Sequence, residues 1–294
     1  MLHSDPWRFE TLSDAQAVLG ESPVWSARDN GVWWVDVTGR KLLRTAAADG
    51  RTQVWPTPEE IGFVVPTAEG RLVAGMESGL FLFDPARGGF TLIWRLEGQG
   101  VRFNDAATDS AGRLWAATCD IENREAAGEL LCIEPDLAVR QVVAGLLTPN
   151  GLAADSAGGW LYLSDSHPTV RSLWRLPMDV ANGATGERQE VADFGDLKGR
   201  PDGGAFDAAG TYWIAGVGGS ALHGFAPDGR RLAEIAPPME SPTKFVFGGS
   251  ALDRVFLTSK AGDAGGGRLA VATPSLGRAV LHGRGETPFG YVPG

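Results

Sequence analysis

Five short strings hold the polar residues with the most specific chemistry. They are Gly20-Glu21-Ser22-Pro23, Arg102-Phe103-Asn104-Asp105, Pro149-Asn150-Gly151, Pro201-Asp202-Gly203 and Ser241-Pro242-Thr243-Lys244. Taken singly, Pro-Asn-Gly and Pro-Asp-Gly are ordinary turn sequences whose Asn or Asp hydrogen-bonds its own backbone. Taken together, Glu21, Asn150 and Asp202 offer two carboxylates and an amide oxygen. Such donors hold a hard divalent cation, and three protein ligands leave positions open for water and substrate. The same set also fits a satisfied polar cluster, or a cation that only ties segments together. Long stretches of chain separate the strings, so their chemistry depends on a fold that gathers them.

The surrounding chain supplies such a fold. A small turn with Gly followed by an apolar strand recurs as Gly31-Val-Trp-Trp-Val-Asp36, Gly70-Arg-Leu-Val-Ala-Gly75, Gly112-Arg-Leu-Trp-Ala-Ala117, Gly159-Trp-Leu-Tyr-Leu-Ser164, Gly210-Thr-Tyr-Trp-Ile-Ala215 and Asp253-Arg-Val-Phe-Leu-Thr258. One strand precedes each copy and two follow, with a period of about 44 residues, the pattern of propeller blades. The expected fold is all-β: one domain over residues 1–294, a six-bladed β-propeller with four antiparallel strands per blade. The innermost strands would line an axial channel and the five strings would enter it at one mouth, with Glu21, Asn150 and Asp202 at equivalent points of three blades. Trp33, Trp34, Trp115, Trp160 and Trp213 read as filling between blades. Residues 15–19 and 279–282 both stand in outer-strand phase for the sixth blade, so either could close the ring.

Composition removes several functions. The 294 residues are 43% hydrophobic with a net charge of -10, and the scattered Lys and Arg form no basic stripe, which argues against nucleic acid. The start has no signal-like region and no apolar run is long enough to span a bilayer, so a cytoplasmic protein with no membrane partner, a monomer or weak oligomer, is expected. Cys119 and Cys132 lack zinc-site spacing and read as reduced strand cysteines. The histidines are His3, His167, His223 and His282. No Gly-x-Ser-x-Gly elbow and no Ser, His and Asp set falls at channel positions. His167 could reach the rim, and Asp165 reads as a buried hydrogen-bonding group.

The strings Leu19-Gly20-Glu21-Ser22-Pro23-Val24-Trp25, Arg102-Phe103-Asn104-Asp105, Asp109-Ser110-Ala111-Gly112-Arg113-Leu114-Trp115, Pro149-Asn150-Gly151-Leu152, Arg200-Pro201-Asp202-Gly203-Gly204 and Phe247-Gly248-Gly249 together resemble the senescence marker protein 30, regucalcin and gluconolactonase family. By position, the resemblance implies that Glu21, Asn150 and Asp202 are metal ligands, that Asp202 is also the catalytic base, and that Arg102 and Asn104 contact substrate. It points to Glu122 as a further substrate-binding carboxylate, with Asp120 as its competitor because the local sequence departs from the family pattern, and to residues 123–127 as a mobile rim loop. The implied activity is metal-dependent opening of sugar-derived (aldono) lactones to sugar acids. Ester opening needs an activated water, an electrophile at the carbonyl oxygen and a proton for the leaving alkoxide. All-oxygen ligands accommodate Ca, Zn, Mn, Mg or Fe(II). The rival expectations are a non-catalytic calcium-binding regulatory propeller and a metal-dependent organophosphate or ester hydrolase.

Overall fold

The computed structural model describes residues 7–155, 157–262, 266–277 and 279–291. The opening residues 1–6, with His3, and Ser156 in the fourth blade's first turn lie outside the described residues. Six four-stranded antiparallel sheets are arranged as the blades of a propeller, and the described residues contain no helix. The innermost strands are Gly20–Ser26, Ile61–Pro66, Val101–Thr108, Pro149–Asp155, Arg200–Phe206 and Pro242–Gly248. Each lies against the inner strands of the blades before and after it, and the sixth lies against the first.

A four-stranded sheet apolar on both faces must bury both, and the six hydrophobic clusters show how. Each spans one interface between neighbouring blades. One side chain from each second strand, Trp33, Val73, Trp115, Tyr162, Trp213 or Phe256, packs toward the following blade. The turns that position these rings also satisfy them. Asp109 accepts from the backbone N–H of Ala111 and Arg113 and from Trp115 Nε1 at 2.9 Å, and Asp207 does the same with Ala209, Thr211 and Trp213 Nε1. One carboxylate thereby fixes the turn and caps the indole donor of the core. Gly112 and Gly210 take φ of 78° and 86° in those turns, a region that favours glycine.

Ring closure differs from the expectation. The outer strand of the sixth blade is Glu10–Thr11, paired antiparallel with Ala270–Ala272. Residues 15–19 instead lead into the first blade, held by Ala17 N–H to Gly267 O (2.7 Å) and an isolated Leu19–Lys260 bridge. Ala279–Val280 forms only a small hairpin with Ser275–Leu276. Trp7 gives the physical reason: its ring lies 5.1 Å from that of Trp213 and its Nε1 donates to Ser275 O, so the amino-terminal strand is pinned where an apolar edge needs covering. The carboxy-terminal stretch runs across the far end of the channel, bridging Asp207 at Gly283 and Thr67 at Phe289.

Candidate active site

Every inner strand loses register near its entry, and in each blade the inner strand carries one residue more than its partner. Such bulges re-aim side chains, here at the mouth of the channel. Register gives the phase. Val24, Val65, Ala107, Ala153, Ala205 and Val246 are the inner-strand partners of Trp33, Val73, Trp115, Tyr162, Trp213 and Phe256. The residues three places earlier are Glu21, Gly62, Asn104, Asn150, Asp202 and Thr243, so the blades contribute one member each to a common layer. Two places nearer the mouth stand Leu19, Glu60, Arg102, Thr148, Arg200 and Ser241. One place deeper stand Ser22, Phe63, Asp105, Gly151, Gly203 and Lys244.

Hydrogen bonds join these layers. Asn104 Nδ2 donates to Asn150 Oδ1 and to Pro149 O, both at 3.0 Å, and Asn104 Oδ1 accepts from an Arg102 terminal nitrogen at 2.8 Å. Arg102, 7% exposed, forms an ion pair through Nε with Glu60 at 3.3 Å. Asn150 Nδ2 donates to Ser166 Oγ at 2.7 Å. In the deeper layer, Lys244 Nζ crosses to Asp105 Oδ1 and to Ala106 O, while Asp105 also accepts from the N–H of Ala106 and Leu152. The lysine passes where Gly203 has no side chain; a Cβ there would lie 2.3 Å from it. This buried pair forms the floor of the site. Beyond it the channel opens into a separate cavity of about 410 Å³ beneath residues 284–287.

The carboxylates sit in an environment hostile to their own charge. Burial, then Asp202 and Asp105, hold the Glu21 carboxyl well above its ordinary range, against the opposing pull of Lys244 and the Ser22 N–H. Burial, then Asp105, pushes Asp202 up to about 8, opposed by Arg200, Lys244 and the Gly203 N–H. Asp202 is 5% exposed and its Oδ1 has no hydrogen-bond partner. A buried oxygen left unbonded costs roughly 1–3 kcal/mol. Two crowded carboxylates and this orphaned oxygen, in one layer with the Asn150 amide, fit a divalent cation. Among the described residues no group of three His, Cys, Asp or Glu could hold a metal, so a cation here needs the amide oxygen and water as well.

The shift has a testable sign. Between the unfolded carboxyl pKa near 4 and about 8, the native metal-free protein binds a proton at Asp202 that the unfolded chain does not, so stability falls as pH rises through that window. Chelator-treated protein is expected to melt at lower temperature at about pH 8 than at about pH 5, and an added divalent cation to raise the midpoint more at the higher pH. A flat or rising chelated profile would contradict this electrostatic picture.

The remaining candidates make other contacts. Glu122 is exposed at the rim and pairs with Arg124 at 2.8 Å. Asp120 accepts from the N–H of Arg124 at 2.7 Å and Glu125 at 3.3 Å, which organises the start of the exposed rim loop and lowers its own pKa. Neither bonds to the Arg102 and Asn104 pair. For Asp120 the cause is local, since a carboxylate in a tight turn meets its own backbone first. His167 Nδ1 pairs with Thr169 Oγ1 at 2.7 Å within its turn. Asp165 is buried and accepts from Leu147, Thr148 and His167 N–H groups. Glu60, Ser166 and Arg200 join the site without having been singled out as site residues. Glu60 and Arg200 share the phase of Arg102, so blade phase alone could have found them; Ser166 lies outside that phase.

Comparison with known proteins agrees with this architecture. Residues 19–261 match the family described as SMP-30/Gluconolactonase/LRE-like region. A 6-deoxy-6-sulfogluconolactonase of Pseudomonas putida is 36% identical over 247 residues, covering 83% of this chain and 84% of that one. A pentonolactonase of Haloferax volcanii is 29% identical over 253 residues, covering 86% and 85%. Among solved structures, a calcium-binding protein, regucalcin, from Agrobacterium tumefaciens superposes with a TM-score of 0.90 at 25% identity, covering 98% of this chain and 99% of its own. The match over most of the chain means that this protein belongs to the SMP-30/gluconolactonase/LRE-like family.

Proposed function

We infer that this protein is a sugar lactonase, a hydrolase that opens a sugar-derived lactone to the sugar acid. The observation that carries the reading is the unbonded, buried Oδ1 of Asp202, in the same channel layer as Glu21, Asn104 and Asn150. The relatives at 29–36% identity named for lactonase activity support it. Glu21, Asn150 and Asp202 would hold the divalent cation, which when bound supplies a Lewis acid for the lactone carbonyl and for water. Asp202 accepts the proton of the attacking water as the water oxygen bonds to the carbonyl carbon. When the ring C–O bond breaks, that proton returns from Asp202 to the alkoxide, and no covalent enzyme intermediate forms. Asn104 and Arg102, locked to each other and to Glu60, orient the sugar hydroxyls, and the Asp105–Lys244 floor keeps the substrate at the mouth.

The direct test is proton release across a panel of aldonolactones with calcium, magnesium, manganese, zinc and ferrous iron. Turnover of at least one lactone above its spontaneous rate, dependent on added cation, is expected. If none opens faster with protein than without, the reading gives way to a cation-binding protein without turnover. Arg102→Ala and Asn104→Ala are expected to raise KM roughly 10- to 100-fold, since each removes charged or polar contacts to hydroxyls. Cation affinity, read by calorimetry, should stay within a few-fold of the parent, because neither side chain is a proposed ligand. A loss of cation binding equal to the loss of activity would reassign them.

A further inference from the structure

The layer nearest the mouth distributes charge unevenly. Its members, in blade order, are Leu19, Glu60, Arg102, Thr148, Arg200 and Ser241. Arg102 is neutralised by its neighbour Glu60 at 3.3 Å. Arg200 stands between two hydroxyl residues in the ring order, and among the described residues no carboxylate pairs with it. Its guanidinium donates to Ser166 O, at 3.4 Å, and Ser166 Oγ in turn accepts from the proposed ligand Asn150. Glu234, on the outer strand of the same blade, is engaged by Lys198 and Arg231. Arg200 is half-buried, and its charge reaches the site: it is the foremost group lowering the Asp202 pKa.

Resting on the sugar lactonase reading, we propose that Arg200, flanked by Thr148 and Ser241, recognises an anionic substituent on the lactone at the end remote from its carbonyl. The backbone that presents it is closely packed. Gly199 takes φ of 79°, its carbonyl accepts from Arg171, and a Cβ on it would lie 2.3 Å from the Gly216 backbone. Arg200 lies two residues from Asp202, roughly 7 Å along a strand, which suits a six-carbon lactone with its carbonyl at Asp202 and its tail toward the mouth. The chain carries a net charge of -10, and at long range such a protein repels anions. An acidic tail therefore needs a local cation, and a planar guanidinium with hydroxyl neighbours matches carboxylate, phosphate and sulfonate oxygens alike.

The test compares cation-loaded parent, Arg200→Met and Arg200→Lys on gluconolactone and on three acidic counterparts: glucarolactone, 6-phosphogluconolactone and 6-deoxy-6-sulfogluconolactone. The parent is expected to favour at least one acidic lactone over gluconolactone in kcat/KM by roughly tenfold, and the preferred arm names the anion. Arg200→Met should remove that preference through KM, by roughly 10- to 100-fold on the acidic lactone and much less on gluconolactone, with Arg200→Lys recovering part of it. Equal loss on neutral and acidic lactones would mean that Arg200 acts only through Asp202 and would overturn the proposal, as would a parent without acidic preference. A parent that opens no lactone would remove the sugar lactonase reading itself, a distinct result.

Discussion

Asp202→Asn is expected to lower kcat by roughly 10²- to 10⁴-fold while the protein stays folded and still binds a divalent cation, more weakly. The substitution keeps the side chain's size and one ligand oxygen. It removes the charge and the basic lone pair on a group that burial pushes up to about 8. The measurement is lactone hydrolysis at saturating cation beside a calorimetric cation titration. The two readings separate here. A site that merely binds a cation loses affinity and nothing else, whereas a catalytic base loses turnover even when the cation is restored by concentration. Parent-like hydrolysis by Asp202→Asn would exclude Asp202 as the base.

Lys244→Met is expected to destabilise the protein by roughly 3–5 kcal/mol, because breaking one half of a buried ion pair leaves the other charge uncompensated. For a chain of this size that is a fall in melting temperature of about 6 to 15 °C. Lys244 and Asp105 are both nearly inaccessible, and Asp105 is further committed to the N–H groups of Ala106 and Leu152, so the carboxylate cannot swing out to water. A second effect follows for the site. Lys244 opposes the upward shifts of both Glu21 and Asp202, so without it both carboxyls hold their protons more tightly and cation affinity at neutral pH should drop. Thermal melts and a cation titration check the two effects. A variant as stable as the parent would mean that the pair is not the floor of the channel.

These expectations depend on different kinds of information. The six Gly-turn-strand copies and the layer holding Glu21, Asn150 and Asp202 were legible in the chain, because each follows from a local period or a fixed offset from a turn. The closing strand was not. Residues 15–19 and 279–282 have the right phase, yet Glu10–Thr11 forms the outer strand, since the choice is made by Trp7 meeting Trp213 across the sequence. Position alone also does not give the contacts of Glu122: it stands exposed at the rim, paired with Arg124.

The number of blades, the strand order within each and the end of the channel where the polar residues gather can be read from the chain alone, because strand alternation and turn chemistry act over a few residues. Which charges meet is set by the closed ring. Lys244 reaches Asp105 across 139 positions because Gly203 leaves room, Arg102 is neutralised by Glu60 of the preceding blade, and Arg200 has no carboxylate partner among the described residues. Pairing across a closed ring depends on side-chain length, burial and neighbouring blades, none of which any one repeat contains.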